Sequence, residues 1–224
     1  MPSTVLLEDL VQIKAKTPSQ KDSIYAYDCD YNLLMQGSAG TGKTFIALYL
    51  ALRDVLAVKY RKVIIVRSPV ATRDLGHLPG DLEEKISIYE LPYKHILWEL
   101  LPNKMEAYDY LKQLGTIEFH PTSFVRGRTF DNSVIIIDEA QNCNFHELDS
   151  VITRVGENSK LIIAGDTMQS DLLKSSRDCS GLAKFSKILE NMEEFSIVNY
   201  LPQDIVRSGL VKSYIINKEA VLID

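Results

Sequence analysis

The sequence predicts an α/β protein whose mainly parallel sheet is covered by helices on both faces. Short apolar runs such as "VIIV" (63–66) and "VIIID" (134–138) are typical of strands buried on both sides. These runs alternate along the chain with segments whose apolar residues recur at helical spacing. Such alternation favours βαβ units and therefore parallel strands.

The first half of the chain predicts three strands and one long helix. The segment "YNLLMQ" (31–36) is predicted to be a buried strand, and a glycine-rich turn follows it. A helix is predicted over 43–60, because its apolar residues have helical spacing and it contains neither proline nor glycine. Further strands are predicted at 63–66 and, with a weaker apolar pattern, at 116–119.

The second half continues the alternation up to a closing helix. Its predicted elements, in chain order, are a strand at 134–138, a helix at 144–155, a strand at 160–166, a helix at 181–192, a strand at 195–200 and a helix at 209–221. Three of the predicted strands are followed by polar or glycine-rich sequence. In parallel sheets ligands bind at the carboxyl ends of the strands, so these three ends are expected to form a site.

The segment 73–110 breaks the alternation, since it contains three prolines with helical patterns between them. We interpret it as an insertion between the second and third strands of a single domain that spans 1–224. Its aromatic residues are expected to pack in the core rather than to stack on bases, because helical spacing alone explains them. They are Tyr89, Tyr93 and Trp98.

Composition excludes several classes of protein. The 224 residues are 46% apolar and 25% charged, which is ordinary for a soluble globular protein, and the net charge is -5. That charge argues against a surface that is basic throughout, although local basic patches stay possible. The three cysteines form no Cys-x-x-Cys pair, which disfavours a disulfide framework or a zinc ribbon. Neither a secretory signal nor a membrane span is predicted, so we expect a cytoplasmic protein.

The segment "GSAGTGKT" (37–44), called the phosphate loop below, matches the pattern G-x-x-x-x-G-K-[ST]. It lies between a predicted strand and a predicted helix, which is the context that this motif requires. The alternative is a glycine-rich turn with a stray lysine. The residues predicted to bind a nucleotide are Gly37, Ser38, Ala39, Gly40, Thr41, Gly42, Lys43 and Thr44.

The chemistry of the phosphate loop follows from its residue types. Glycines let the backbone adopt conformations closed to other residues, so that successive N–H groups form a nest for an anion. The helix that begins near Gly42 adds the positive end of its dipole. Lys43 supplies a charge for the β- and γ-phosphates, and the Thr44 hydroxyl is a predicted ligand of Mg²⁺.

The stretch "VIIIDEAQN" (134–142) ends a buried strand in two adjacent acids. One interpretation is that the strand has simply reached solvent. Beside a phosphate loop, Asp138 is instead predicted to orient the metal, because the strand that it ends is expected to lie beside the loop. Glu139, which points elsewhere, is predicted to polarise the attacking water.

Two glutamines complete the candidate site. In "IIAGDTMQSD" (162–171), Gln169 is predicted to lie near the γ-phosphate, where an amide can hold water or sense loss of the phosphate. A surface turn is the alternative. In "KTPSQ" (16–20), Gln20 is predicted to read the edge of adenine through paired hydrogen bonds, with a solvent-exposed glutamine as the alternative.

Together these segments resemble the PhoH-like family, whose ATPase domain is similar to the first RecA-like domain of superfamily-one helicases. The resemblance runs over nearly the whole chain. It is carried by "GSAGTGKT", "VRSPV", "LGHLPGDLEEKI", "VRGRTFDNSVIIIDEAQN", "TRVGENSKLIIAGDTMQSDL", "SGL" and "DIVRSGLV".

The resemblance implies a RecA-like P-loop fold, with ATP bound by residues 37–44 and Mg²⁺ bound by Thr44 and Asp138. It also implies a catalytic role for Glu139 and a place for Gln169 at the γ-phosphate. The short segment before Gln20 resembles the compact phage-type form. The expected location is therefore the cytoplasm of a bacterium or of a phage-infected host.

Superfamily-one helicases close the ATP site with arginines from a second RecA-like domain. Without such arginines, a single domain of this kind is expected to leave the charge of the γ-phosphate partly uncompensated. An arginine delivered in trans is worth ~10³–10⁵ in rate in related systems. We therefore hypothesise a homo-oligomeric ring, for which the resemblance favours a hexamer. The candidate arginines are Arg154 and Arg207, with Arg126 and Arg128 behind them, and surface salt bridges are the alternative for each.

The leading functional hypothesis is a Mg²⁺-dependent ATPase that moves or remodels a partner, with single-stranded RNA or DNA suggested by the resemblance to helicases. A non-motor, nucleotide-gated assembly module is the first alternative. A small-molecule kinase is the second, and the Asp-Glu-Ala-Gln and Gly-Asp-x-x-Gln segments argue against it because hydrolases use such groups to activate water.

Overall fold

A computed structural model describes residues 4–68, 82–166 and 181–223 of the chain. The described strands are β1 (Asn32–Gly37), β2 (Lys62–Arg67), β3 (Ile117–Pro121), β4 (Ser133–Asp138), β5 (Lys160–Gly165) and β6 (Phe195–Tyr200). The described α-helices are α1 (Pro18–Asp28), α2 (Lys43–Leu56), α3 (Leu82–Leu100), α4 (Ala107–Gln113), α5 (Phe145–Ile152), α6 (Leu182–Leu189) and α7 (Gly209–Ile223). Short 3-10 turns occur at Leu7–Asp9, Thr122–Phe124, Ala140–Asn142 and Pro202–Asp204.

The strands form one six-stranded sheet in the order β3-β2-β4-β5-β1-β6. Every described pairing between these strands is parallel. The predicted α/β class with a parallel sheet is therefore confirmed. The strand order also places β5 between β1, which leads into the phosphate loop, and β4, which ends in Asp138.

Helices cover both faces of the sheet, as predicted. Alternate residues of each strand enter different cores: on β4, Val134 and Ile136 enter one core, whereas Ile135 and Ile137 enter the other. Apolar residues of α1 to α4 fill the first core, and those of α5 and α6 fill the second. Continuously apolar strands are apolar on both faces of the sheet, so helices must cover both faces.

Helix α1 is absent from the sequence-based prediction. Its residues, "PSQKDSIYAYD", show little apolar periodicity, which is the pattern on which that prediction rests. The structure shows instead an N-terminal cap, because the Thr17 hydroxyl accepts a hydrogen bond from the Gln20 N–H and Pro18 occupies the first turn. Helix α2 ends at Leu56, four residues before the prediction, since the backbone turns at Val58 with a φ of +62°.

The segment between β2 and β3 contains α3 and α4, with Pro92 inside α3. Residues 69–81 lie outside the described residues, and they include the first part of the predicted insertion, 73–81. Tyr93 packs in the first core, whereas Trp98 is 45% exposed. Within the described ranges, no helix combines the length and apolar character that crossing a membrane needs.

Candidate active site

The phosphate loop leaves the carboxyl end of β1 through glycines with left-handed backbone. The φ values are +126° at Gly37, +71° at Gly40 and +86° at Gly42. At Gly37 a Cβ atom would lie 2.0 Å from the Tyr200 carbonyl oxygen, so no larger residue fits there. Gly42 caps α2, which places the amino end of that helix at the loop.

The Lys43 ammonium is directed into the phosphate loop. Its Nζ donates to the Gly37 carbonyl at 2.9 Å and to the Ser38 carbonyl at 2.7 Å. Burial lowers the pKa of Lys43, and the nearby carboxylates of Asp166 and Glu139 oppose that shift. The loop therefore holds a half-buried cation at the position where an anionic ligand would bind.

Thr44, in the first turn of α2, and Asp138, at the end of β4, are in direct contact, although β5 lies between β4 and the strand that leads into the phosphate loop. The Thr44 hydroxyl donates to Asp138 Oδ1 at 2.7 Å, and Asp138 is only 3% exposed. The contact is possible because α2 packs across both β4 and β5, which carries its first turn to the end of β4. The structure thus brings together the two residues predicted to be metal ligands.

Glu139 follows with a left-handed backbone, at a φ of +51°. Few residues other than glycine adopt this conformation, and in folded proteins such strain is frequently found at functional sites. Burial, and then the neighbouring charge of Asp138, raise the pKa of the Glu139 carboxyl, while the Arg67 guanidinium acts in the opposite direction. Glu139 is therefore a half-buried carboxylate with an increased affinity for a proton.

Gln141 connects Glu139 to the end of β5. Its Nε2 donates to Glu139 Oε2, and its Oε1 accepts from the Asp166 N–H at 2.8 Å. Sequence reasoning passed over Gln141 as a site residue, although its place two residues after Glu139 was visible. Gln169, by contrast, lies outside the described residues.

Gln20 is buried, with 4% of its surface exposed, so the alternative of a solvent-exposed glutamine is wrong. Its Oε1 accepts from the Lys16 N–H, and its Nε2 donates to the Thr41 carbonyl, both at 2.9 Å. Each atom keeps capacity for one further hydrogen bond. In this structure Gln20 supports the phosphate loop, and its contact with adenine stays a prediction.

These groups line one cavity of about 600 Å³, a size within the range of small-molecule sites. Its polar lining includes Lys43, Thr44, Asp138 and Glu139, which are the predicted site residues at the carboxyl edge of the sheet. Apolar side chains complete the lining, among them Ile13, Phe45, Ile96 and Val206. A cavity with both charged and apolar walls suits a ligand that has a phosphate end and an aromatic end.

The candidate arginines occupy different places. Arg207 lines the same cavity, next to Val206, whose N–H donates to the Gly40 carbonyl at 3.1 Å. This placement in the chain's own site does not fit delivery of Arg207 to a neighbouring subunit. Arg126 and Arg128 are exposed in the turn after β3.

Arg154 lies at the opposite edge of the sheet. Its carbonyl accepts from the Phe130 N–H at 2.8 Å, and Phe130 lies just ahead of the amino end of β4. Among the described residues, the buried Arg154 Nε has no hydrogen-bond partner. Arg154 therefore lies too far from the cavity of its own subunit to act there. This position is compatible with a role in the site of a neighbouring subunit.

Two further contacts were not predicted. The Tyr93 hydroxyl donates to Asp138 Oδ2 at 2.9 Å. The Ser38 hydroxyl donates to Glu219 Oε2, also at 2.9 Å, which ties α7 to the phosphate loop. Both pairs join residues far apart in the chain, so no local sequence pattern indicates them.

The residues present fit a nucleotide with bound Mg²⁺. A hydroxyl–carboxylate pair, of which Asp138 is buried and Thr44 half-buried, lies beside a nest of left-handed glycines and a lysine. In the part of the chain that the structure describes, no group of three or more His, Cys, Asp or Glu side chains could hold a metal by itself. Mg²⁺ suits such a site, because it commonly takes one or two protein ligands together with phosphate oxygens and water.

Comparison with protein families gives a match over residues 12–218 to the model described as "PhoH-like protein". The chain is 36% identical over 204 residues to a PhoH-like protein of Bacillus subtilis, covering 91% of this chain and 63% of the relative. It is 35% identical over 225 residues to a PhoH-like protein of Mycobacterium tuberculosis, covering 96% and 61%. For Protein PhoH of Escherichia coli K12 the identity is 34% over 203 residues, covering 90% and 57%. The chain thus spans about 60% of the length of these relatives.

Among solved structures, the Pif1 helicase from Candida albicans matches with a TM-score of 0.42 and 17% identity, over 85% of this chain and 41% of that one. The Sulfolobus solfataricus SWI2/SNF2 ATPase core, in complex with double-stranded DNA, matches with a TM-score of 0.46 and 11% identity, over 85% and 45%.

Proposed function

Since the chain belongs to the PhoH-like protein family, we propose that it is a Mg²⁺-dependent, RecA-like P-loop ATPase that hydrolyses ATP to ADP and phosphate. The observation that carries the proposal is the contact between Thr44 and Asp138 beside the phosphate loop. A hydroxyl and a carboxylate in this arrangement are the protein groups that hold nucleotide-bound Mg²⁺ in P-loop enzymes.

The phosphate loop binds the triphosphate. Its backbone N–H groups surround the phosphates, and the amino end of α2 adds a favourable dipole. Lys43, whose ammonium already lies inside the loop, pairs with the β- and γ-phosphates. When bound through Thr44 and Asp138, Mg²⁺ supplies positive charge that stabilises the phosphoryl group during transfer.

Glu139 is the proposed general base. A water molecule attacks the γ-phosphorus, the bond to the bridging β–γ oxygen breaks, and Glu139 accepts a proton from the water. Support comes from its raised pKa, since a carboxylate that binds a proton more tightly is a more effective base. Gln141 donates to Glu139 and supports its orientation. Gln169 is proposed as the amide that holds the water.

The test is phosphate release from ATP without an added acceptor, measured with Mg²⁺ and with EDTA. Glu139→Gln keeps the size of the side chain but removes the base, so hydrolysis is expected to fall about 10²–10⁴-fold. Binding of Mg²⁺ and a nonhydrolysable nucleotide should survive. The matched control is Glu190→Gln, an exposed residue at the end of α6.

Three results would each contradict a different part of the proposal. Phosphate release that requires an added acceptor would indicate a kinase. Nucleotide binding with assembly but no phosphate release would indicate a nucleotide-gated assembly module. Full activity of Glu139→Gln would remove Glu139 from the role of base.

The proposed assembly is a homo-oligomeric ring, with a hexamer favoured by the family resemblance. The support is the placement of the arginines: Arg207 lines its own cavity, whereas Arg154 lies at the opposite edge of the sheet. We therefore assign Arg154, rather than Arg207, as the residue delivered to the neighbouring site. The expected gain in rate from such an arginine is ~10³–10⁵.

Mixing experiments separate these two arginines. Subunits with Lys43→Ala lack a working phosphate loop but keep Arg154, so mixing them with Arg154→Ala subunits should restore hydrolysis. The same mixture with Arg207→Ala should not, because in that ring no site has both Lys43 and its own Arg207. Recovery with Arg207→Ala, or none with Arg154→Ala, would contradict the assignment.

Single-stranded RNA or DNA is the proposed partner, supported by the resemblance to the first RecA-like domain of superfamily-one helicases. The proposed location is the cytoplasm of a bacterium or of a phage-infected host. The test is the ATPase rate with and without single-stranded RNA or DNA at two stated salt concentrations, since phosphate contacts weaken as salt rises. An unchanged rate at low salt would contradict nucleic-acid coupling.

A further inference from the structure

Both carboxylate oxygens of Asp138 are held by hydroxyl groups. Thr44 donates to Oδ1 at 2.7 Å, and Tyr93 donates to Oδ2 at 2.9 Å. Asp138 and Tyr93 are 3% and 1% exposed, so water has little access to either partner. The orientation of the carboxylate is therefore set by two side chains, of which only Thr44 belongs to the phosphate loop.

Tyr93 is itself fixed by packing. It lies on α3 in the first core, where its ring contacts that of Phe119 on β3 with 5.9 Å between the centroids. A buried ring in a packed core has little rotational freedom, so its hydroxyl points in one direction. The bond to Asp138 joins residues 45 positions apart in the chain.

Arg67 completes the surroundings of this hydroxyl. It is the last residue of β2 and is paired in register with Asp138. Its guanidinium interacts with both the Tyr93 hydroxyl and the Asp138 carboxylate. The carboxylate that is proposed to hold the metal is thus supported from α3 and from β2.

We propose that Tyr93 is a positioning residue for the magnesium site, acting through its hydrogen bond to Asp138; this inference rests on the proposed ATPase function. A carboxylate that keeps one oxygen bonded to Tyr93 cannot rotate freely and presents its other oxygen toward Thr44. Hydrogen bonds to a ligating carboxylate typically change metal affinity by about 10–100-fold. Tyr93 thereby makes α3, which lies far from the phosphate loop in the sequence, part of the metal site.

The experiment uses Tyr93→Phe, which removes only the hydroxyl. A fluorescent, nonhydrolysable ATP analogue is bound while Mg²⁺ is titrated, and Mn²⁺ binding is followed separately by electron paramagnetic resonance. The metal concentration at half-saturation should rise about 10-fold or more. Nucleotide binding in EDTA should stay as in the unsubstituted chain, because the phosphate loop is intact.

The matched control is Tyr108→Phe. Tyr108 is also 1% exposed, and its hydroxyl donates to a buried carboxylate, Glu90 Oε1, at 3.1 Å. Both substitutions therefore remove one buried hydroxyl–carboxylate bond, but only Tyr93 contacts Asp138. Equal losses of thermal stability with a change in metal affinity for Tyr93→Phe alone would support positioning.

The outcomes are distinguishable. In one outcome, nucleotide binding depends on Mg²⁺ in the unsubstituted chain, and Tyr93→Phe has the same Mg²⁺ concentration at half-saturation. That result would overturn the role of Tyr93 and leave the ATPase proposal standing. Nucleotide binding that ignores Mg²⁺ in the unsubstituted chain would overturn the metal site itself, and the role of Tyr93 with it.

A second measurement applies if Tyr93→Phe does not melt cooperatively. The unsubstituted chain is labelled with ¹³C at the tyrosine Cζ, and the Tyr93 resonance is identified as the one displaced in Asp138→Asn. It should move when Mg²⁺ is added to the nucleotide complex and should stay still when EDTA is present. A resonance that ignores Mg²⁺ would overturn the proposal.

Discussion

Gly37 lies where the phosphate loop leaves β1, with a φ of +126°. A Cβ there would meet the backbone of Tyr200 at 2.0 Å, so the position excludes a side chain both by conformation and by space. Gly115 also has a positive φ, at +70°, but a Cβ there would have nothing within 4 Å. The two glycines therefore separate backbone strain from steric overlap.

We expect Gly37→Ala to lower the free energy of unfolding by about 3 kcal/mol or more, because strain and overlap add. Gly115→Ala, which introduces strain alone, should cost about 1–2 kcal/mol. Urea unfolding of both variants measures the difference. Gly37→Ala should also weaken nucleotide binding, since the loop must separate from β6. Equal losses for the two variants would show that Tyr200 does not constrain the loop.

At the scale of elements, α1 is joined to the turn at Pro202–Asp204 by one carboxylate. Asp204 Oδ2 accepts from the Ser19 hydroxyl at 2.8 Å and from the Leu201 N–H at 2.9 Å. Burial raises the pKa of Asp204, but these hydrogen bonds lower it by more, so its pKa lies below the ordinary value. Asp204 thus links α1, which carries Gln20, to the segment that carries Arg207.

A carboxyl with a lowered pKa stabilises the fold above its unfolded pKa of about 3.9, and that contribution is lost as the pH falls toward the folded value. We therefore expect Asp204→Asn to reduce the free energy of unfolding by about 1–3 kcal/mol at pH 7. The difference from the unsubstituted chain should shrink below about pH 4. Urea unfolding at pH 7 and pH 3 measures it.

The control for this prediction is Asp22→Asn, because Asp22 is an exposed carboxylate on the same helix. Its effect on unfolding should be small at both pH values. A pH-independent loss in Asp204→Asn would mean that its charge contributes nothing to the link between α1 and the turn.

At the scale of the whole molecule, the parallel sheet collects the site. The carboxyl ends of β1, β4 and β5 lie at one edge, in the order β4-β5-β1. Helix α2 crosses above β5 and closes the gap, while α3 approaches from the first core. Ligand binding at this edge therefore engages elements from most of the chain.

Mg²⁺ with a nonhydrolysable ATP analogue should consequently raise the stability of the entire domain. At a ligand concentration 100 times Kd, the expected gain is about 2.7 kcal/mol, measured as a rise in Tm. Lys43→Ala should abolish the rise, because the phosphates lose the cation that lies inside the loop. A rise of equal size in Lys43→Ala would mean that the ligand binds elsewhere.

The sequence by itself determined the α/β class, the position of each strand, the phosphate loop and the acids that follow β4. Those features depend on patterns within short stretches of chain, such as continuous apolar runs and fixed glycine spacing. Helix α1 escaped prediction because a cap and tertiary contacts, rather than apolar periodicity, define it.

Only the tertiary structure decided which residues meet. In the structure β5 lies between β1 and β4, and Tyr93 contacts Asp138. Gln20 contacts the phosphate loop, and Arg207 and Arg154 lie at opposite edges of the sheet. Strand order and contacts between distant helices depend on how the whole core packs. Patterns within a short stretch of sequence do not indicate that packing.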